Sequence, residues 1–183
     1  MIDKLYRSIL TAMGVLLVTT ATTAVADEDK TFGWVEKTTV EPWGVEVKAK
    51  LDSGALTSSM DARDIERFEK DGEEWVRFRL ELEDEDTGEV TSETLEKAVN
   101  RNLILRGAGG ESRRPTVIMD ICMGDTVYEE DFSLRDRSKM NYPVLLGRRT
   151  IKHLGVLDVR ETFTTDPNCD EDSPVQPYEE DLE

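Results

Sequence analysis

The stretch Val45-Glu46-Val47-Lys48-Ala49-Lys50-Leu51-Asp52-Ser53-Gly54-Ala55 alternates apolar and charged residues, then breaks into an acid, a hydroxyl and a glycine. Alternation with a period of two puts Val45, Val47, Ala49 and Leu51 on one face of a half-buried strand. Asp52 stands at that strand's exit. Gly54 lets the backbone turn without a Cβ, and its amide can bond the carboxylate just before it. Ser53 can tie down neighbouring backbone or a partner subunit. The tripeptide is also an ordinary strand-to-turn exit, so by itself it assigns no chemistry.

The same periodicity recurs outward from this point. Val76, Phe78, Leu80 and Leu82 alternate with Arg77, Arg79 and Glu81. Residues 116–123 and 127–134 form two strand-like runs joined by the turn-favouring pair Gly124-Asp125, which predicts a hairpin. Helical patterning is confined to residues 62–70 and 148–154, the second stopped by Gly155. The expected fold is mostly β with one or two short helices, over residues 31–165. Residues 166–183 hold eight acids, three prolines and no Lys or Arg, a composition that predicts a disordered acidic tail. A second D-T-G, Asp86-Thr87-Gly88, follows Glu83-Asp84-Glu85 instead of an apolar strand and reads as a hairpin turn.

At the start of the chain, Lys4 and Arg7 precede an uncharged run from Ser8 to Ala26, and Ala24-Val25-Ala26 supplies small residues before Asp27. That is the tripartite pattern of a signal peptide cleaved after Ala26, which predicts an exported, periplasmic protein. The alternative is an uncleaved membrane anchor, since about 20 residues suffice to span. Cleavage would remove Lys4, Arg7 and Asp3 and leave the mature chain one unit more negative. Cys122 falls in a strand-like run and Cys169 in the polar tail, so two unpaired thiols are expected, although an oxidising compartment would permit pairing.

The 183 residues suit one domain. With 23 Lys+Arg against 40 Asp+Glu, the formal charge is −17, which argues against a partner held by its phosphates, so no nucleic acid is expected. One histidine, two cysteines, and no HExxH, CxxC or GxxxxGK[ST] argue against a zinc site or a P-loop.

The second half of the chain gives the D-S-G a context. Tyr142-Pro143-Val144-Leu145-Leu146-Gly147-Arg148, a short helix, and Gly155-Val156-Leu157-Asp158-Val159 together resemble the closing segment of retropepsins, the retroviral-type aspartic proteases. Residues 116–134 are similar to the hairpin that precedes it. The ordered set K-A-K-x-D-[ST]-G-A-x-T-S, W-V-R-F, R-P-x-V, L-x-x-R-x-x-M and L-L-G-R is similar to a bacterial family labelled ATP-dependent zinc proteases, whose domain is retropepsin-like. The resemblance covers residues 34–159. It implies a single closed barrel, with Asp52 catalytic, Ser53, Gly54 and Ala55 forming the active-site loop, and Leu145, Leu146, Gly147 and Arg148 forming the closing motif.

Such domains carry one catalytic aspartate per chain, so a homodimer is implied, its two carboxylates sharing a proton and activating water. No cofactor or metal is expected, because the ligands that the family label would need are lacking. A flap hairpin over substrate is implied, with Gly107, Gly109 and Gly110 the leading candidate and residues 84–89 the runner-up. Where retropepsins pair the closing arginine with an acid four residues after the catalytic one, this chain has Leu56, so Arg148 is expected to meet Asp61 or Asp64. His153 is expected on a helix surface. The family's association with ATP-grasp glutamate ligases points to peptide or protein substrates rich in glutamate and to a functional link with such ligases. Attracting those anions would require Arg113, Arg114, Arg135, Arg137, Arg148 and Arg149 to line the groove. The competing expectation is an inactive binding or accessory module in the cell envelope that keeps the fold.

Overall fold

A computed structural model describes residues 30–107 and 110–180. Residues 1–26, expected to be a signal peptide, lie outside the described residues. Two short strands, β1 (Thr31–Gly33) and β2 (Val35–Val40), lead into β3 (Val45–Leu51) and β4 (Ser58–Asp61). Then come β5 (Arg63–Lys70), β6 (Glu73–Glu83), β7 (Val90–Ala98), β8 (Arg101–Gly107), β9 (Gly110–Met123) and β10 (Thr126–Arg135). The chain continues through β11 (Val144–Leu146), α1 (Arg148–Leu154), β12 (Val156–Asp158) and β13 (Val175–Gln176).

Pairing runs β10-β4-β11-β3-β2-β9, and β9 pairs back onto β10, so six strands close into a ring. The mostly β, closed architecture expected from the sequence is what forms, with one helix among the described residues. The alternating residues explain it. In β3 Val45, Val47, Ala49 and Leu51 are buried and join Met60, Val117, Met119, Ile121, Phe132, Leu134, Val144 and Leu146 in the core, while the residues between them are half-exposed. The β9–β10 hairpin turns at Gly124, whose φ of 62° suits glycine.

A second, three-stranded sheet, β5-β6-β7, packs Val76, Phe78, Leu80 and Leu82 against the same core. Its β6–β7 turn holds Asp86-Thr87-Gly88, as the sequence predicted, with the Asp84 carboxylate accepting from the Asp86 and Thr87 amides.

Three expectations are corrected. Residues 62–70 are not helical: β5 occupies 63–70 and pairs antiparallel with β6. Good helix formers there lose to cross-strand partners, because Arg67 pairs with Glu74 and Lys70 lies 4.3 Å from the Trp75 ring centre. Asp64, at φ 53°, marks the irregularity that a helix could not contain. The thiols are not free either, since Cys122 and Cys169 form a disulfide across 47 residues of sequence. Cys122 is two residues from the β9–β10 turn, and the Asn168 amide donates to Gly124 O of that turn, which delivers Cys169 to it. The described part of the segment expected to be a disordered tail, residues 166–180, is accordingly held, and residues 181–183 lie outside the described residues. Beyond the disulfide, β13 adds to β10 at Val127 and Tyr128, and the Tyr178 amide reaches Glu129. Its composition predicted disorder because the acids stay in solvent, but backbone pairing and the disulfide do the anchoring.

Candidate active site

The ring order places β11 between β3 and β4, two strands that are consecutive in the chain. The connection from β3 to β4, residues 52–57, must therefore pass over the end of β11. That crossing builds the site. Asp52 N donates to Leu146 O at 2.8 Å, and the first amides of α1 donate back to the loop, Arg148 N to Ala55 O at 2.9 Å and Arg149 N to Leu56 O at 3.2 Å. The otherwise unpaired N–H groups of a helix start are thus satisfied by the loop that carries the acid.

Gly147 lies under the crossing. A Cβ there would stand 2.6 Å from Thr57 C, 2.7 Å from Thr57 N and 2.8 Å from Leu56 C, all backbone atoms. This explains a glycine between Leu146 and Arg148, at an extended φ of −87° where any residue could otherwise sit. Gly147→Ala should push the loop off β11 and cost about 1–3 kcal/mol of stability. Urea unfolding reads that loss, and an unchanged midpoint would mean that the crossing is slack.

Asp52 projects at the rim with 27% of its side chain exposed. Its Oδ1 accepts from the Gly54 amide at 3.0 Å and its Oδ2 from Lys50 Nζ at 3.0 Å. The Lys50 ammonium first, and the Gly54 amide against the opposing pull of burial, hold this carboxyl below the usual aspartate range. Motif reading alone does not single out Lys50 as a partner, although its place two residues before Asp52 puts it on the same strand face. Ser53 and Gly54 are exposed, Ala55 is half-buried, and Leu56 is 41% exposed, so the loop tip faces outward.

The structure relocates several expected contacts. Arg148 meets neither Asp61 nor Asp64: its Nη1 donates to Ser53 O at 2.7 Å and braces the loop directly. Asp61 instead accepts from the Arg137 amide and pairs with Arg63, and Asp64 pairs with Arg79. His153 is not a surface residue: it is turned inward, its Nδ1 2.7 Å from Glu130, with the carboxylate 3% and the ring 15% exposed. Leu145 and Leu146 run alongside Lys50 and Leu51 of β3. Of the flap glycines, Gly107 and Gly110 close the β8–β9 hairpin opposite one another, and Gly109 lies outside the described residues.

Three arginines gather beyond the loop. Arg135 stands opposite Asp61 in the backbone register of β10 and β4, and Arg114 and Arg135 each stand two residues past the last β9–β10 pair, Thr116 with Ser133. Arg137 is buried, bonding Ser59 Oγ and Tyr142 O. Burial and then the charge of Arg135 lower both Arg114 and Arg137 from the ordinary arginine value, and the Asp52 carboxylate is close enough to act on Arg137. Among the described residues no group of three or more His, Cys, Asp or Glu is arranged to hold a metal ion.

Comparison with known proteins fits this geometry. Residues 31–168 match the RimB-like family, described as retropepsin-like aspartic endopeptidase RimB. Proteins named "Probable alpha-L-glutamate ligase" from Shewanella pealeana and Desulfotalea psychrophila are 32% and 30% identical over 64% and 61% of this chain. The chain spans only about a quarter of the length of these curated relatives, 25% and 24% respectively. The crystal structure of a protein of unknown function from Legionella pneumophila superposes with a TM-score of 0.61 at 32% identity, covering 74% of this chain and 98% of that one. With a closed β ring, a D-S-G loop crossing the strand that ends in Leu-Leu-Gly-Arg, and a family match over most of its length, the chain belongs to the RimB-like family of retropepsin-like aspartic endopeptidases.

Proposed function

We propose that this chain is an exported aspartic endopeptidase that becomes active as a homodimer, when Asp52 of two copies meet and share a proton. The observation that carries this reading is the Asp52 loop itself: a carboxylate fixed by the Gly54 amide at an outward-facing loop tip. Two carboxylates a few Å apart cannot both ionise, so one acts as base toward water while the other donates to the carbonyl oxygen. Ser53 would brace the opposite loop. The exposed Leu56, with Val156, Val159 and Phe163 exposed on and beyond β12, supplies apolar surface that association could cover. The β8–β9 hairpin is the better flap. The rival β6–β7 tip is tied to β3, since Asp84 accepts from Glu46 N, Glu85 N donates to Glu46 O, and Lys48 pairs with Glu85.

The substrate is a glutamate-rich peptide. Arg114 and Arg135 have no carboxylate partner among the described residues of a chain that carries −17, and such cations suit an anionic ligand. The glutamate ligase relatives that share this segment support the same class and a functional link to such ligases. The disulfide and the leader-like start support a periplasmic location, where thiols oxidise.

A digest of acidic and neutral peptide libraries, run with sedimentation of the mature protein, tests the reading. Cleavage by a dimer is expected. A strictly monomeric protein, or a dimer without cleavage, would leave the binding-module reading, which the Lys50 ion pair on Asp52 also suits. Arg114→Ala/Arg135→Ala should lower kcat/KM on acidic peptides about tenfold and spare neutral ones. Equal loss on both would remove the arginines from recognition.

A further inference from the structure

The loop that carries Asp52 is joined to a buried carboxylate by a line of hydroxyls. Gly147 N donates to Ser58 Oγ at 3.0 Å, Ser58 Oγ lies 2.7 Å from Thr150 Oγ1, and Thr150 Oγ1 donates to Glu130 Oε2 at 2.8 Å. Glu130 Oε1 is 2.7 Å from His153 Nδ1. Ser58 and Thr150 are each 1% exposed and Glu130 2%, so the line runs through the interior. The direction of the line follows from its end. An ionised carboxylate only accepts, so Thr150 spends its one proton on Glu130 and must accept from Ser58. Ser58 then spends its proton on Thr150, and its free lone pair receives the Gly147 amide. His153 Nδ1 must carry a proton to satisfy the other carboxylate oxygen.

Protonation of Glu130 undoes this order. A carboxylic acid can donate to Thr150, which then donates to Ser58 and takes from the Ser58 proton the acceptor it had. The Ser58 backbone oxygen is already engaged, accepting from Ser133 Oγ at 2.9 Å. Gly147 is the residue on which the 52–57 crossing rests, so a change in its amide bond is felt where Asp52 is held.

We propose that Glu130 and His153 are positioning residues for the Asp52 loop: ionised Glu130 orients Thr150 and Ser58 to hold the Gly147 amide, and protonation of Glu130, by turning the Ser58 proton away from Thr150, loosens that hold. The consequence for hydrolysis rests on the peptidase reading above, whereas the coupling from Glu130 to Gly147 does not. Glu130 lines a pocket of about 110 Å³ with groups from the elements around it: Arg149, Thr150 and His153 of α1, Thr57 of the 52–57 connection, Ser58 of β4, Arg101 of β8, Asp131 of β10, and Tyr178 and Glu180 beyond β13. Asp131 is itself paired with Arg101, so Glu130 is the carboxylate that faces the hydroxyl line. Burial raises Glu130 above the ordinary glutamate range, and the hydrogen bonds from His153 and Thr150 pull it part of the way back.

The test follows the Gly147 amide and the Glu130 carboxyl carbon by NMR across pH in the full mature chain, together with amide exchange at Gly147. In the wild type the two signals should share one midpoint, and the protection factor of Gly147, its exchange corrected for the intrinsic rate at each pH, should fall about fivefold to tenfold on the acid side. Thr150→Val should leave Glu130 titrating while Gly147 no longer follows it, and Thr150→Ser should restore the coupling. His153→Leu, which removes a donor to the carboxylate, should raise both midpoints together and serves if Thr150→Val does not fold. A Gly147 signal that ignores Glu130, or that still follows it in Thr150→Val, overturns the proposal. Since no step uses cleavage, an inactive protein with intact coupling would count against the peptidase reading alone.

Discussion

If the proposed peptidase reading holds, Asp52→Asn should leave the fold and the proposed dimer intact and lower kcat/KM for peptide hydrolysis by about 10²–10⁴-fold, the range that a positioned acid or base supplies. The amide is isosteric with the carboxylate, so its oxygen still accepts from Gly54 and the loop keeps its shape. What is lost locally is the contact to Lys50, a partly exposed ion pair worth at most about 1 kcal/mol. In a homodimer both copies change at once, so no carboxylate remains to accept a proton from water, which places the loss toward the upper end of the range. Peptide digestion and sedimentation of the same sample separate the two effects. Activity within tenfold of wild type in a folded dimer would remove Asp52 from the chemistry. The pH profile carries a further expectation. Lys50 and the Gly54 amide favour the charged form of Asp52, so the singly protonated pair persists only on the acid side and activity should fall as pH rises from there.

Cys169→Ser should cost about 2–4 kcal/mol of unfolding free energy. The disulfide closes a loop over 47 positions of sequence, which removes many conformations from the unfolded chain. Cys169 is the better site for the change. Cys122 is 0% exposed, and a serine there would add a buried hydroxyl to the loss of the bond. The second effect is local: β13 has only two residues of pairing, Val127 with Val175 and Tyr128 with Gln176, to hold the end of the chain without its tether. A urea midpoint lowered in the variant, and in the wild type under reductant, together with early proteolysis after residue 169, is the expected pattern. Unchanged midpoints in both would mean that the bond constrains nothing the fold does not already hold.

The failures of sequence reading share a cause. Residues 62–70 carry good helix formers, but β6 offers a strand edge to pair with, and no local pattern records that edge. His153 looked like a surface residue because Glu130, its partner, lies 23 positions away on a different element. Arg148 turned to a backbone carbonyl, Ser53 O, which has no side-chain signature at all. Lys50 is the instructive exception. Its spacing from Asp52 was enough to predict the contact, since alternate residues of a strand share a face.

From its own order of residues the chain determined the β class, the β3 strand with Asp52 at its exit, the hairpin at Gly124-Asp125, the short helix ended by Gly155, and the pairing of D-S-G with Leu-Leu-Gly-Arg. All of these rest on patterns of a few residues, and burial enforces such patterns locally. Tertiary structure alone decided the passage of the loop over β11, the steric demand at Gly147, the hydroxyl line to Glu130, the clustering of Arg114, Arg135 and Arg137, and the Cys122–Cys169 bond. Each joins residues that only ring closure brings together, and closure is a property of how strands pair at long range.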